Sequence, residues 1–261
     1  MKFQNLFLFT VCVSVFTGCQ KTPTGSLHMN PAGSDGDVLF QYSTLGSLMA
    51  GIYDGDLTFE EILQHGDFGL GTFNALDGEM IETGHEVFQI RADGLAYPVD
   101  PAMKSPFAVV TWFETDENLL ISEPTDYNEL KTVLDEHLPT LNIPYAIRIS
   151  GTFGYMKTRS VPAQEKPYPP LPEVLEDQPT FEFEDTDGVM AGFRLPVYMD
   201  VANAPGYHFH FITESRDAGG HVLEFQMENL TVEIDHTDAW YTLLPGDDAF
   251  YHVVFSEEDY Q

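Results

Sequence analysis

Cysteine is nearly absent from this sequence of 261 residues, and its two copies, Cys12 and Cys19, lie among the first twenty. The rest of the chain can form neither a disulfide nor a thiolate metal site, so His, Asp or Glu must bind any metal. Basic residues are also scarce, because 11 Lys and Arg stand against 42 Asp and Glu, a net charge of -31. We expect no nucleic-acid partner, since phosphate backbones are bound by clustered cations.

The longest apolar run near the N-terminus, Leu6 to Phe16, is too short for a normal membrane-spanning helix and follows Lys2. Residues 1–18 are therefore typical of a signal peptide. The run ends in a sequence that resembles a lipobox, with lipid attached to Cys19; the alternative is an ordinary cleaved signal. Polar residues 19–37 predict a flexible tether. We expect an exported protein, periplasmic or at the cell surface, whose lipid on Cys19 is its only membrane contact.

The remaining sequence predicts an α+β protein of two domains. Residues 38–175 are expected to form a mixed β-sheet with helices, and residues 176–261 a mostly antiparallel β domain. The boundary is placed in the proline-rich stretch 164–179, which is expected to contain no regular element. Helices are predicted for 38–53 and 127–137, and a capping box that joins Thr58 to Glu61 predicts a short helix ending near His65. Strands are predicted at 69–74, 76–81, 87–91, 107–113, 145–153, 180–183, 189–195, 207–213, 221–227, 231–234 and 250–255.

Three of the nine histidines form the sharpest pattern. His208 and His210 share one face of a predicted strand, because strand side chains alternate, and His221 begins the next strand. In that strand the positions of His221, Phe225 and Met227 alternate with polar residues, so His221 is expected on their buried face. If His210 lay opposite His221, three imidazoles would converge with an open fourth position, as in a catalytic zinc site. The alternative is three unconnected histidines, since register is not readable from sequence.

The other histidines are interpreted as solvated or core residues; they are His28, His65, His85, His137, His236 and His252. His252 lies in a predicted strand and stays open as a ligand.

A cationic window interrupts this acidic chain. No acid occurs between Glu136 and Glu165, whereas Arg148, Lys157 and Arg159 fall there. The functional interpretation is a site for a small anion, and the alternative is chance. Arginine suits a carboxylate best, because its planar fork bonds both oxygens.

Several longer motifs strongly resemble the alpha-acetolactate decarboxylase family, and together they span Val38 to Tyr251. They are Gln41-Tyr42-Ser43-Thr44-Leu45, Tyr53-Asp54-Gly55-Asp56, the runs 66–80, 91–94, 192–196 and 205–211, and Ala218-Gly219-Gly220-His221-Val222-Leu223.

The resemblance implies a zinc enzyme that converts the anion (S)-2-acetolactate to (R)-acetoin and CO2. It implies zinc bound by His208, His210 and His221, with Glu79 at the metal as a ligand or proton carrier. Arg159 looks like the family's active-site arginine. A homodimer is left open.

One departure from the family concerns its second active-site glutamate, which lies in a longer C-terminal tail; here only Glu257 or Glu258 is available to replace it. Two other functions remain open. One is a cupin-like oxygenase or isomerase, in which Glu214 would join His208 and His210. The other is a non-catalytic lipoprotein that binds metal or a small acid.

Overall fold

A computed structural model describes residues 37–123 and 125–255. The predicted signal peptide, Cys19 and nearly all of the predicted tether lie outside the described residues, as do Glu257 and Glu258. Within the described ranges, none of the helices has the length and apolar character needed to cross a membrane.

Strands make up most of the regular structure. The helices are α1 Leu45–Met49, α2 Phe59–Ile62, α3 Tyr127–His137, α4 Leu171–Leu175 and α5 Asp248–His252. The strands are β1 Val38–Tyr42, β2 Leu57–Thr58, β3 Phe68–Thr72, β4 Glu79–Thr83, β5 Glu86–Ile90, β6 Ala96–Pro98, β7 Lys104–Ser105, β8 Ala108–Thr111, β9 Glu117–Ile121, β10 Thr125–Asp126, β11 Tyr145–Arg159, β12 Thr180–Leu195, β13 Gly206–Thr213, β14 Gly219–Met227, β15 Leu230–His236 and β16 Ala239–Leu243.

The strands form two seven-stranded sheets and a short β2–β7 ribbon. The first sheet has the order β16-β1-β8-β3-β4-β5-β6, in which only the β1–β16 pair is parallel. The second has the order β10-β14-β13-β12-β11-β15-β9, and all of its pairs are antiparallel. In the second sheet β11 also pairs with β14. The predicted α+β class, with one mixed and one antiparallel sheet, is confirmed.

The division between the sheets differs from the predicted domain boundary at residue 175. Strands β9, β10 and β11 precede that residue but belong to the second sheet, and β16 follows it but belongs to the first. The long β11–β12 hairpin runs across the predicted boundary, and the described residues on both sides of it belong to one compact unit. The proline-rich stretch therefore connects two neighbouring strands of one sheet.

Apolar side chains fill the space between the two sheets and the space between each sheet and a helix. Leu70 and Ile81 of the first sheet pack against Phe193 of the second in a buried cluster between the sheets. A second cluster lies between the other face of the second sheet and α3, and a third between the first sheet and α2. Because both faces of each sheet are covered, a polar side chain that points between the sheets is withdrawn from water.

Local signals placed two helices correctly. Thr58 and Glu61 form the predicted capping box at the start of α2. The predicted helix 127–137 is α3, and Asp126 caps it by accepting from the backbone N–H groups of Asn128 and Glu129. These helices were readable because a cap and an apolar period are encoded within one short segment.

Three other predictions for local structure were wrong. Residues 38–53 form β1 and then α1, because Ser43 has a positive φ of 66° and Thr44 caps a new helix. Residues 250–255 are not a strand, since Asp247 caps α5 by accepting from the Phe250 N–H. The stretch 164–179, predicted to lack regular structure, contains α4, and prolines at the start of a helix cost no hydrogen bond.

The buried Asp235 on β15 should make folding stability depend on pH. Burial raises its pKa to about 7, with Asp116, Asp37 and Glu114 adding to the rise. A folded-state pKa above the unfolded value means that stability falls as pH rises from about 4 to about 7. We expect the free energy of unfolding, measured with urea, to fall between pH 5 and pH 8 by about 2 kcal/mol more in the unaltered protein than in Asp235→Asn. The exposed Glu136→Gln is the control, and equal losses in Asp235→Asn would contradict this assignment.

Candidate active site

A cavity of ≈ 80 Å³ between the sheets collects every residue predicted for the site. Glu79 begins β4, Arg159 ends β11, His208 and His210 lie on β13, and His221 lies on β14. A larger groove of ≈ 680 Å³ beside Thr125 and Glu129 contains none of them. The smaller cavity is the candidate site, because of these two it is the one in which titratable groups of opposite charge and potential metal ligands converge.

The register of the β13–β14 hairpin brings the three histidines together. His210 lies directly opposite His221, which confirms the arrangement that the sequence left open. The ring centroids are 4.7 Å apart for His208 and His221, 5.1 Å for His208 and His210, and 5.3 Å for His210 and His221. One nitrogen from each ring lies within 4.8 Å of the others, so the group is able to bind a metal ion.

The sequence argument for the face of His221 was nevertheless wrong. Lys157 and Thr158 of β11 pair with Glu224 and Val222 of β14, so Leu223 is an extra residue in a β-bulge. A bulge reverses the alternation beyond it. Val222, Phe225 and Met227 therefore pack towards α3, whereas His221 lies with His208 and His210 in the cavity between the sheets.

The histidine nitrogens fit a bound divalent cation. His210 Nδ1 donates to the carbonyl oxygen of Met80 at 2.6 Å, which fixes the ring and leaves a lone pair on Nε2. That Nε2 is buried without a hydrogen-bond partner in the described chain, and it lies 3.4 Å from Glu79 Oε2. Two lone-pair atoms facing each other are stabilised by a cation between them.

The other two histidines fit the same cation. His208 Nε2 and His221 Nδ1 are 3.1 Å apart, close to the roughly 3.3 Å expected between two tetrahedral zinc ligands.

Burial keeps these imidazoles in the form that binds metals. It lowers the pKa of His210 to about 3 and the pKa values of His208 and His221 well below their usual range, with nearby Arg159 acting in the same direction. His208 and His221 retain some exposure to the cavity, although protein atoms surround both rings. All three rings are therefore neutral near pH 7, as a metal ligand must be.

Glu79 and Arg159 form an ion pair beside the histidines. Arg159 Nη1 donates to Glu79 Oε1 at 3.2 Å, and Arg159 lies opposite His221 in the β11–β14 register. Burial raises the pKa of Glu79, and Arg159 opposes part of that rise. Among the described residues this is the guanidinium's one hydrogen bond, so its other N–H groups can bind an anion.

A strained turn places Glu79 at the start of β4. Ala75 and Leu76 have positive φ angles of 62° and 54°, and Leu76 lines the cavity. Gly78 follows with φ 85°, and a Cβ there would lie 2.3 Å from the carbonyl oxygen of Ile90. Thr72 Oγ1 donates to the carbonyl of Gly78 at 2.6 Å. Gly78, the residue before Glu79, is therefore held by this hydrogen bond and by its close approach to the Ile90 carbonyl.

Sequence reasoning missed the apolar part of the cavity lining. It comes from distant segments, and its members are Leu45, Leu48, Leu76, Phe107, Val161, Leu171 and Leu175. A buried amide pair ties β1 to the segment on which α1 begins: Gln41 Nε2 donates to the carbonyl of Ala202, and Asn203 Nδ2 donates to Gln41 Oε1. The N–H of Leu45, the first residue of α1, donates to the same Ala202 carbonyl. Gln41 belongs to a motif noted in the sequence, but its contact with Asn203 had no local signal.

The remaining described histidines do not join the metal-binding group. His137 and His236 both contact Glu117, at 3.0 and 2.7 Å, so they are paired rather than isolated. His65 stacks on Phe40, and His252 is exposed on α5.

Glu214, the cupin-type ligand candidate, is exposed and does not line the cavity. The residues that a cupin-like site would need are therefore not assembled.

Comparison with known proteins identifies the family. The family model described as alpha-acetolactate decarboxylase matches residues 39–257. The alpha-acetolactate decarboxylase of Methylococcus capsulatus is 48% identical over 221 residues, 85% of this chain and 85% of its own length. The Methanosarcina mazei protein of that name is 46% identical over 216 residues, 83% of this chain and 75% of its own. The crystal structure of alpha-acetolactate decarboxylase from Bacillus subtilis strain 168 has a TM-score of 0.83 at 40% identity, covering 85% of this chain and 95% of that one. The chain is thus a carboxy-lyase of the alpha-acetolactate decarboxylase family.

Proposed function

We propose that this protein catalyses zinc-dependent decarboxylation of (S)-2-acetolactate to (R)-acetoin and CO2. The observation that carries the proposal is the convergence of three neutral histidines, Glu79 and Arg159 on one cavity. Three imidazoles with an open position are a donor set typical of catalytic zinc. The nearby cation supplies what an anionic substrate needs in a protein of net charge -31.

The substrate carries a carboxylate, a tertiary hydroxyl and an adjacent ketone. His208, His210 and His221 would hold the zinc ion, which when bound would supply Lewis acidity for the ketone and for negative charge as it develops. Arg159 binds the carboxylate through its free N–H groups and orients the bond that breaks. That bond leaves its electron pair on the carbinol carbon, conjugated with the ketone, while CO2 departs.

A proton must then be added to the carbinol carbon. Glu79 would supply this proton, because its carboxyl group lies in the cavity beside His210 and burial raises its pKa, so that it holds a proton more readily than an exposed glutamate. Delivery from a fixed side chain reaches one face of the planar carbon, which accounts for a single acetoin enantiomer. When Glu79 is ionised, its Oε2 beside His210 Nε2 is also able to serve as a fourth zinc ligand.

The test uses purified protein and racemic 2-acetolactate. Chelation should abolish acetoin formation, and added zinc should restore it, with metal content and the chirality of the product measured in parallel. Metal binding without turnover would favour a non-catalytic binding protein. Full activity in protein shown to be metal-free would disprove zinc dependence.

A further inference from the structure

The cavity lining has two chemically unlike parts. Strands β4, β11, β13 and β14 contribute its charged and metal-binding groups, whereas α1 and α4 contribute only leucines. Leu45 and Leu48 come from α1, and Leu171 and Leu175 come from α4. The two helices lie against each other although more than 100 residues separate them in sequence, so together they form one apolar wall.

We propose that this leucine wall selects the substrate by the size of its alkyl substituents, accepting methyl groups and disfavouring an ethyl group. The inference rests on the proposed function and deepens it. Arg159 and the metal-binding group account for the three oxygen-bearing groups of 2-acetolactate. Its two methyl groups have no polar partner to meet, and the leucine wall, together with Leu76, Phe107 and Val161, is the apolar surface available to cover them.

The dimensions of the cavity support discrimination by size. Its volume is ≈ 80 Å³, and Leu48 is only 5% exposed, so the α1 part of the wall is tightly packed. An apolar pocket discriminates against one additional methylene by about 10-fold or more. We expect the protein to prefer the methyl substrate over its ethyl analogue by a factor of that order in kcat/KM.

Helix α4 offers the cleanest place to change the wall. Leu171 and Leu175 are half-buried, so truncation there removes less core packing than at Leu48. Val174 on the same helix is 8% exposed and packs in the core, but it does not line the cavity. Val174→Ala is therefore a matched control, because it removes side-chain carbons from α4 without enlarging the cavity.

The experiment compares kcat/KM for 2-acetolactate and for 2-ethyl-2-hydroxy-3-oxobutanoate in zinc-loaded protein, Leu171→Ala, Leu175→Ala and Val174→Ala. We expect the ethyl-to-methyl ratio to rise about 10-fold in at least one leucine variant and to stay at the wild-type value in Val174→Ala. If an alanine variant fails to fold, Leu171→Val decides, with a smaller rise in the same direction.

An unchanged ratio in folded leucine variants would overturn the proposal, as would an equal rise in Val174→Ala. Failure of the proposed function has a different signature, because the wild-type protein would then release no acetoin from 2-acetolactate.

Discussion

His221→Ala should lose both its metal and its activity. The substitution removes one of three imidazoles whose nitrogens lie within 4.8 Å of one another and leaves an incomplete ligand set. Zinc affinity should fall by more than the roughly 10–100-fold that the loss of an outer partner costs. Turnover at limiting zinc should fall in proportion to the metal that is lost. Metal content by elemental analysis and steady-state kinetics, measured on the same samples, check both effects.

The control for that variant is His137→Ala. His137 is the last residue of α3 and contacts Glu117. It does not belong to the group of His208, His210 and His221, so its loss should leave zinc content unchanged. Because His221 lies on β14 close to a bulge, circular dichroism should establish that the hairpin remains folded. Normal zinc binding by folded His221→Ala would show that the three-histidine group is not the metal site.

Arg159→Lys should be much more damaging than its unchanged charge suggests. Lysine can still pair with Glu79, but it lacks the planar fork that holds both oxygens of a carboxylate. Misplacement of the reacting group by about 1 Å costs about 100-fold, and we expect a loss of that order in kcat/KM. Zinc content should stay at the wild-type level, since no histidine is altered.

Arg148→Lys serves as the matched control. Arg148 lies on the same strand, but its Nε and Nη2 each bond to Glu233 at 2.7 Å, and it does not line the cavity. Arg194 is similarly engaged, because its Nη1 donates to the carbonyl of Leu141. Neither arginine is positioned to replace Arg159, so wild-type kinetics in Arg159→Lys would mean that the substrate carboxylate is held without an arginine fork.

The site was largely readable from the sequence because its chemistry is concentrated in short motifs. His208 and His210 share a face through the two-residue period of a strand, whatever the sheet around them. The gap in the acidic residues pointed to Arg148, Lys157 and Arg159, and the family resemblance selected Arg159 among them. For Glu79 the signal was the family motif alone, since an acid after a turn is common on protein surfaces. In each case the information lies within a few neighbouring residues.

The tertiary structure decided which faces and segments meet. The bulge at Leu223 placed His221 in the cavity, and this extra residue appears only when β14 is paired with β11. The leucine wall joins α1 to α4, and β1 pairs with β16 about 200 residues away, as Val38 opposite Ala239 shows.

By itself, therefore, the sequence determined the helices α2 and α3, and it pointed to the histidines, the glutamate and the arginine that meet in the cavity. It did not determine register, the faces beyond a bulge or the apolar side of the cavity. Helix caps and apolar periodicity depend on residues that are near neighbours in the sequence. Strand pairing and packing depend on contacts between distant segments. The pairing that forms is the one of lowest free energy among many alternative partners, and no short segment specifies it.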